Sequence, residues 1–121
     1  MTIEECYKTM GGSYEDVCTR LPSLSLIEKF IGKFLEDKSF ETLRMKIECG
    51  DRKGAFSASH TLKGICANLG FTKLLESVAR LTEELRSEDS SISDKAVSLF
   101  KDVERDYEVT ADAICGYLNK Q

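Results

Sequence analysis

Asp51-Arg52-Lys53-Gly54-Ala55-Phe56-Ser57-Ala58-Ser59-His60-Thr61-Leu62-Lys63-Gly64-Ile65-Cys66-Ala67-Asn68-Leu69-Gly70 holds one unbroken helical pattern between a capping aspartate and a terminating glycine. A helix turns about 100° per residue, and on that projection Ala55, Ala58, Leu62, Ile65, Cys66 and Leu69 fall within an arc of about 100°. Such a stripe marks one face for burial. His60 is the only histidine in the chain, and it projects about 170° from the middle of the stripe on the same rotation. The imidazole is therefore expected in solvent and not in the core.

The same projection surrounds His60 with Gly64 and Ala67 one and two turns later, and with Lys53, Phe56, Ser57 and Lys63 completing the surface. Glycine inside a helix costs about 1 kcal/mol relative to alanine, so an exposed one beside an imidazole suggests that something approaches closely there. Lys63 is three residues after His60. It can bring an ammonium to an anion carried on the ring.

Working outward from this helix, Ser39 is expected to cap a helix with Phe40, Leu43 and Ile47 inward and Gly50 as its stop. Before it, Ser25 with Glu28 reads as a capping box for a helix with Leu26, Ile27, Phe30, Ile31, Phe34 and Leu35 on its apolar positions. Ile3, Cys6, Tyr7 and Met10 precede Gly11-Gly12 at helical spacing, and Tyr14, Val17, Cys18 and Leu21 precede Pro22 in the same way. Residues 1–22 thus read as short accessory helices. On the other side, Thr72 is expected to cap a helix with Leu74, Leu75, Val78, Leu81 and Leu85 on one face, broken by Ser87-Glu88-Asp89-Ser90-Ser91. Ile92, Ala96, Leu99, Phe100, Val103, Tyr107, Ile114 and Leu118 then define one long final helix. No window alternates apolar and polar residues for long, so strands are not expected. The expected fold is all-α, an antiparallel four-helix bundle over residues 23–121 with the accessory helices before it and His60 on an exposed face. At 121 residues, 41% hydrophobic and 31% charged, the chain suits a single domain over 1–121 and leaves no room for a second.

His60-x-Leu62-Lys63-Gly64, followed by Ala67 and the Leu69-Gly70 stop, resembles the histidine-containing phosphotransfer (HPt) domain, and the flanking helical pattern extends the likeness over about residues 24 to 119. The resemblance implies a helical bundle that carries a phosphoryl group on histidine between receiver-domain aspartates in multistep phosphorelays. It makes His60 the phosphorylated nucleophile, Lys63 the phosphoryl-stabilising cation and Gly64 the clearance for the incoming partner. Lys53, Phe56, Ser57 and Ala67 become candidate docking residues. The implied partners are receiver domains of response regulators or hybrid histidine kinases, with Mg²⁺ on the receiver and no cofactor or metal on this chain, which is expected to be a monomer. Two departures stand out: Ser59 replaces a common alanine, and Ile65-Cys66 replaces a small pair. Both project toward or beside the apolar stripe, so packing and not chemistry is expected to change.

Phosphoryl transfer is dominated by positioning and by neutralising charge on the equatorial oxygens. An exposed imidazole, with an ordinary pKa of about 6.5, offers a neutral ring nitrogen near pH 7, and a nearby lysine can hold phosphoryl oxygens by charge-assisted hydrogen bonds. The chain has no G-x-x-x-x-G-K-[ST] loop and no kinase signature. It is therefore expected to be a carrier and not an ATP-using enzyme. The net charge is −4, yet residues 51–73 hold Arg52, Lys53, Lys63 and Lys73 against Asp51 alone, which leaves −7 for the remainder. That local basic surface suits an acidic partner. Four cations without an aromatic stacking platform do not suit nucleic acid. No apolar run spans a membrane, the acidic start Met1-Thr2-Ile3-Glu4-Glu5 does not read as a signal peptide, and a cytoplasmic location is expected. Cys6, Cys18, Cys49, Cys66 and Cys115 lack a C-x-x-C pair and read as reduced, mostly buried residues. Two other classes stay open. One is a helical module that docks a receiver or histidine kinase without carrying phosphate; the other is a hydrolase or metalloenzyme, for which the carboxylate pairs Glu4-Glu5 and Glu83-Glu84 look like solvated helix faces.

Overall fold

The structure is a computed structural model describing residues 1–86 and 91–119. Those residues form seven α-helices: α1 (Ile3–Met10), α2 (Tyr14–Arg20), α3 (Leu24–Glu36), α4 (Ser39–Glu48), α5 (Arg52–Leu69), α6 (Thr72–Leu85) and α7 (Asp94–Asn119). No strand occurs among the described residues. Helices α4 to α7 make an antiparallel bundle, with α5 between α4 and α6, and α6 against α7. The bundle closes where Phe40 of α4 stacks on Tyr107 of α7 at 3.9 Å between ring centres. α1 lies along α7, and α3 packs on α7 and α5.

The apolar periodicities reach the core much as the sequence spacing predicts: Ala55, Ala58, Leu62, Cys66 and Leu69 of α5 are buried, as are Leu74, Val78, Leu81 and Leu85 of α6. Ile65, at the edge of the α5 stripe, is half-buried and lines a cavity of about 450 Å³ with Leu21, Phe30, Phe34 and Leu69. The N-terminal helices also join the core. Cys6 and Val17 are fully buried, as are nearly all of Tyr7 and Met10.

Three caps differ from expectation. Ser23, not Ser25, caps α3 by accepting from the Leu26 amide, because Glu28 reaches across to α7 and accepts from the Tyr117 hydroxyl at 2.6 Å. Lys38 precedes α4 without a side-chain cap, while Asp37 Oδ1 accepts from the Ser39 amide. Phe71 precedes α6, also without a side-chain cap, since its ring is buried between those of Tyr7 and Phe34. The last helix begins at Asp94, after Ile92, where Ser93 Oγ accepts from the Ala96 amide. Of the segment expected to end α6, residues 87–90 lie outside the described residues. The cysteines are free, but only Cys6 and Cys66 are buried; Cys18 and Cys115 fall on outward faces of α2 and α7, and Cys49 follows the last turn of α4, so all three are exposed. Burial pushes the Cys6 thiol up to about 11 and the Cys66 thiol higher still.

Candidate functional site

Helix α5 is held at its start, middle and end. Asp51 Oδ1 accepts from the Gly54 amide at 2.9 Å, and its carboxylate pairs with Lys46 of α4 at 3.3 Å. The Gly54 amide first, then Lys46, keeps the Asp51 carboxyl below its ordinary pKa. Gly54 has a local reason: a Cβ there would stand 2.6 Å from Asp51 Oδ2 and 2.7 Å from Lys46 Cδ. In the middle, Ser59 is fully buried with its hydroxyl 2.5 Å from that of Thr82 in α6. Thr82 spends its proton on the Val78 carbonyl at 2.7 Å, so Ser59 is the donor to Thr82. The substitution of serine for a small apolar residue thus acts on packing between α5 and α6.

The C-terminal end draws its partners from α1 and α2. Carbonyls in the last turn of a helix have no intrahelical donor. Tyr7 Oη donates to the Leu69 carbonyl at 2.7 Å, Arg20 Nε to that of Asn68 at 2.9 Å, and Arg20 Nη2 to that of Ala67 at 2.7 Å. Arg20 is itself oriented by Asp16 one turn earlier. Gly70 takes φ +73°, and the Ser13 amide donates to its carbonyl at 2.8 Å.

His60 projects from the middle of this braced helix and is exposed, on the side opposite the buried stripe. Lys53, Ser57, Gly64 and Ala67 are exposed with it, while Phe56 and Lys63 are half-buried. A Cβ built on Gly64 meets nothing within 4 Å, so nothing in the fold itself requires glycine there. Neither Lys53 nor Lys63 pairs with a carboxylate among the described residues. The Phe56 ring lies nearly parallel to the imidazole, with centres 6.0 Å apart and planes 15° apart, and the Arg86 guanidinium sits 5.2 Å from the Phe56 ring centre. One face of α5 therefore carries an exposed imidazole, a lysine three residues later with no carboxylate partner among the described residues, and a glycine with open space over it.

The family model of the Hpt domain matches residues 25–111. The chain belongs to the Hpt domain family. No curated protein and no solved structure matches it. The matched region of this Hpt domain runs from α3 through most of α7 and contains all of α5, so His60, Lys63 and Gly64 lie within it. Hpt domains are the phosphotransfer carriers of phosphorelay signalling. No described helix is long and apolar enough to cross a membrane, and no group of three or more metal-ligating side chains comes together among the described residues.

Sequence spacing around His60 leaves out Arg86, Arg20 and Tyr7. Arg86 belongs to the end of α6, and no helical periodicity in α5 points to it. Arg20 and Tyr7 act 47 and 62 residues away in sequence through backbone carbonyls. Carbonyls carry no residue-type signal that a sequence pattern records.

Proposed function

We propose that this chain is a phosphohistidine carrier that accepts a phosphoryl group from a receiver-domain aspartate onto His60 and passes it to another receiver aspartate. The observation that carries the reading is the one helix face that holds the only imidazole, Lys63, which has no carboxylate partner among the described residues, and the open Gly64. A neutral ring nitrogen of His60 attacks phosphorus; the N–P bond forms as the aspartyl O–P bond breaks, and the electron pair leaves on the receiver carboxylate. Lys63 holds the equatorial oxygens by charge-assisted hydrogen bonds, and Gly64 lets the receiver loops close over the ring. Each return transfer reverses the same steps.

The partners are receivers of response regulators or hybrid histidine kinases, and the Mg²⁺ and acyl-phosphate chemistry belong to them. The chain works as a monomer in the cytoplasm, with Lys53, Phe56, Ser57 and Ala67 at the rim of the contact and no ATP site of its own. Receivers charged with acetyl phosphate are the test. The parent chain is expected to take up an acid-labile, alkali-stable phosphoryl group and His60→Gln none. Labelling of the His60→Gln variant would overturn the assignment, and docking by the parent without labelling would leave a helical docking module instead.

A further inference from the structure

The Phe56 ring is half-buried where it packs against the core, and Arg86, just past the end of α6, places its guanidinium 5.2 Å from the ring centre. Arg86 is in turn tethered by Glu83 one turn earlier, Nε to Oε1 at 3.3 Å. Arg86, Phe56 and His60 thus form a file from one helix to the next. Aromatic pairs attract over centre separations of about 4.5 to 7 Å, and the two planes here differ by only 15°. The torsion that orients a histidine ring is broad and weakly preferred when nothing packs against it. A ring nitrogen attacks through a lone pair lying in the ring plane, so the plane must contain the line to phosphorus. A freely turning imidazole satisfies that only part of the time.

We propose that Phe56 is a positioning residue: it holds the His60 imidazole in the plane from which its nitrogen attacks phosphorus, with Arg86 fixing the Phe56 ring from α6. The inference rests on His60 as the phosphoryl acceptor. Phe56 lies near-parallel to one side of the imidazole, which stays exposed, so the ring edge, where the nitrogens are, is open to a partner. The residue at this helix position acts before the partner arrives, by setting the ring orientation in the free protein.

The test reads ring and rate together. Because His60 is the only histidine, its ring protons give the only imidazole signals in a proton spectrum of the whole chain. In Phe56→Leu those signals are expected to lose the displacement caused by the neighbouring aromatic ring. The maximal rate of receiver-to-His60 transfer should fall about tenfold, while the receiver concentration at half saturation moves less than about twofold. Phe56→Tyr keeps an aromatic ring and should retain both signals and rate. Arg86 is exposed, so Arg86→Gln should leave the fold intact while shifting the signals and slowing transfer partially, which keeps the test valid if Phe56→Leu lowers the helical circular dichroism. Unmoved imidazole signals, an unchanged maximal rate, or a raised half-saturation at unchanged maximal rate would each overturn the positioning role while His60 still carries phosphate. A parent chain that takes no phosphoryl group at His60 overturns the functional reading, and the positioning role with it.

Discussion

Gly64 and Ser59 stand on one helix and illustrate opposite fates for a small residue. Open space surrounds Gly64, so Gly64→Ala should raise the stability of the isolated protein by up to about 1 kcal/mol, through helix propensity and a less flexible unfolded chain. Gly64→Gln should leave circular dichroism helical yet slow receiver-to-His60 transfer at least about tenfold. Undiminished transfer by the folded glutamine variant would remove the docking role. Lys63→Ala is expected to slow transfer similarly while changing stability by less than about 0.5 kcal/mol, read from melting and kinetics on the same samples. Ser59 behaves differently because it is buried and paired. Thr82→Val strands the Ser59 hydroxyl without its acceptor and should cost about 1–3 kcal/mol, whereas Ser59→Ala removes only a donor to an already bonded oxygen and should cost less. Equal losses in urea titrations of the two variants would contradict the assigned donor and acceptor. His60, Lys63 and Gly64 are legible in the sequence because one helix sets all of their relations. The stack of His60 with Phe56 is only half legible: spacing four residues apart makes them neighbours, but the third member, Arg86, comes from another helix.

At the scale of the helix, α5 owes its ends to other elements. Tyr7→Phe deletes the hydroxyl that serves the Leu69 carbonyl and should cost about 1–2 kcal/mol. Amide exchange in the last turn of α5 should quicken more than at its start, and uniform loss of protection along the helix would argue against a local capping effect. The start of α5 responds to pH. The Asp51 carboxyl is held below its ordinary value in the folded chain, so its stabilising contribution is present above the unfolded carboxylate pKa and is lost as pH falls through the depressed folded value. Asp51→Asn keeps an acceptor for the Gly54 amide but cannot titrate; its melting temperature should fall less than the parent's on acidification. Helix spans were legible because their apolar periods are strong, and Asp51 and Gly70 were legible as a cap and a stop. Ser25-Glu28 misled for a physical reason: the carboxylate that the local box demands is taken by Tyr117, 89 residues away. Lys38 and Phe71 occupy cap positions without capping because burial and neighbouring turns fix the chain there.

Across the whole molecule, rings run in an unbroken file from Tyr14 through Tyr7, Phe71, Phe34, Tyr107 and Phe40 to Phe100, tying α2 and α1 to the turn before α6 and to α3, α7 and α4. The sequence assigns each ring to the apolar face of its own helix, but the file exists only when the helices meet. The file extends past the matched family region, which begins at residue 25, into α1 and α2. Ile3, Cys6, Tyr7, Met10 and Val17, all buried, lie before it. Fully burying one large apolar side chain is worth about 1.5–3 kcal/mol, and a whole domain is stable by only about 5–15 kcal/mol. Removing residues 1–22 therefore withdraws a stabilisation comparable with the total, bares the face of α7 that α1 covers, and leaves the Ala67, Asn68 and Leu69 carbonyls without their donors. A chain of residues 23–121 should lose cooperative thermal unfolding and bind a hydrophobic dye while keeping much of its helical circular dichroism. Tyr7→Ala in the full chain opens a cavity where α1 joins the ring file and should cost about 3–5 kcal/mol, as large aromatic truncations in cores do. A truncated chain that melts cooperatively within a few degrees of the parent would instead make α1 and α2 the accessory helices that their short lengths suggest in the sequence.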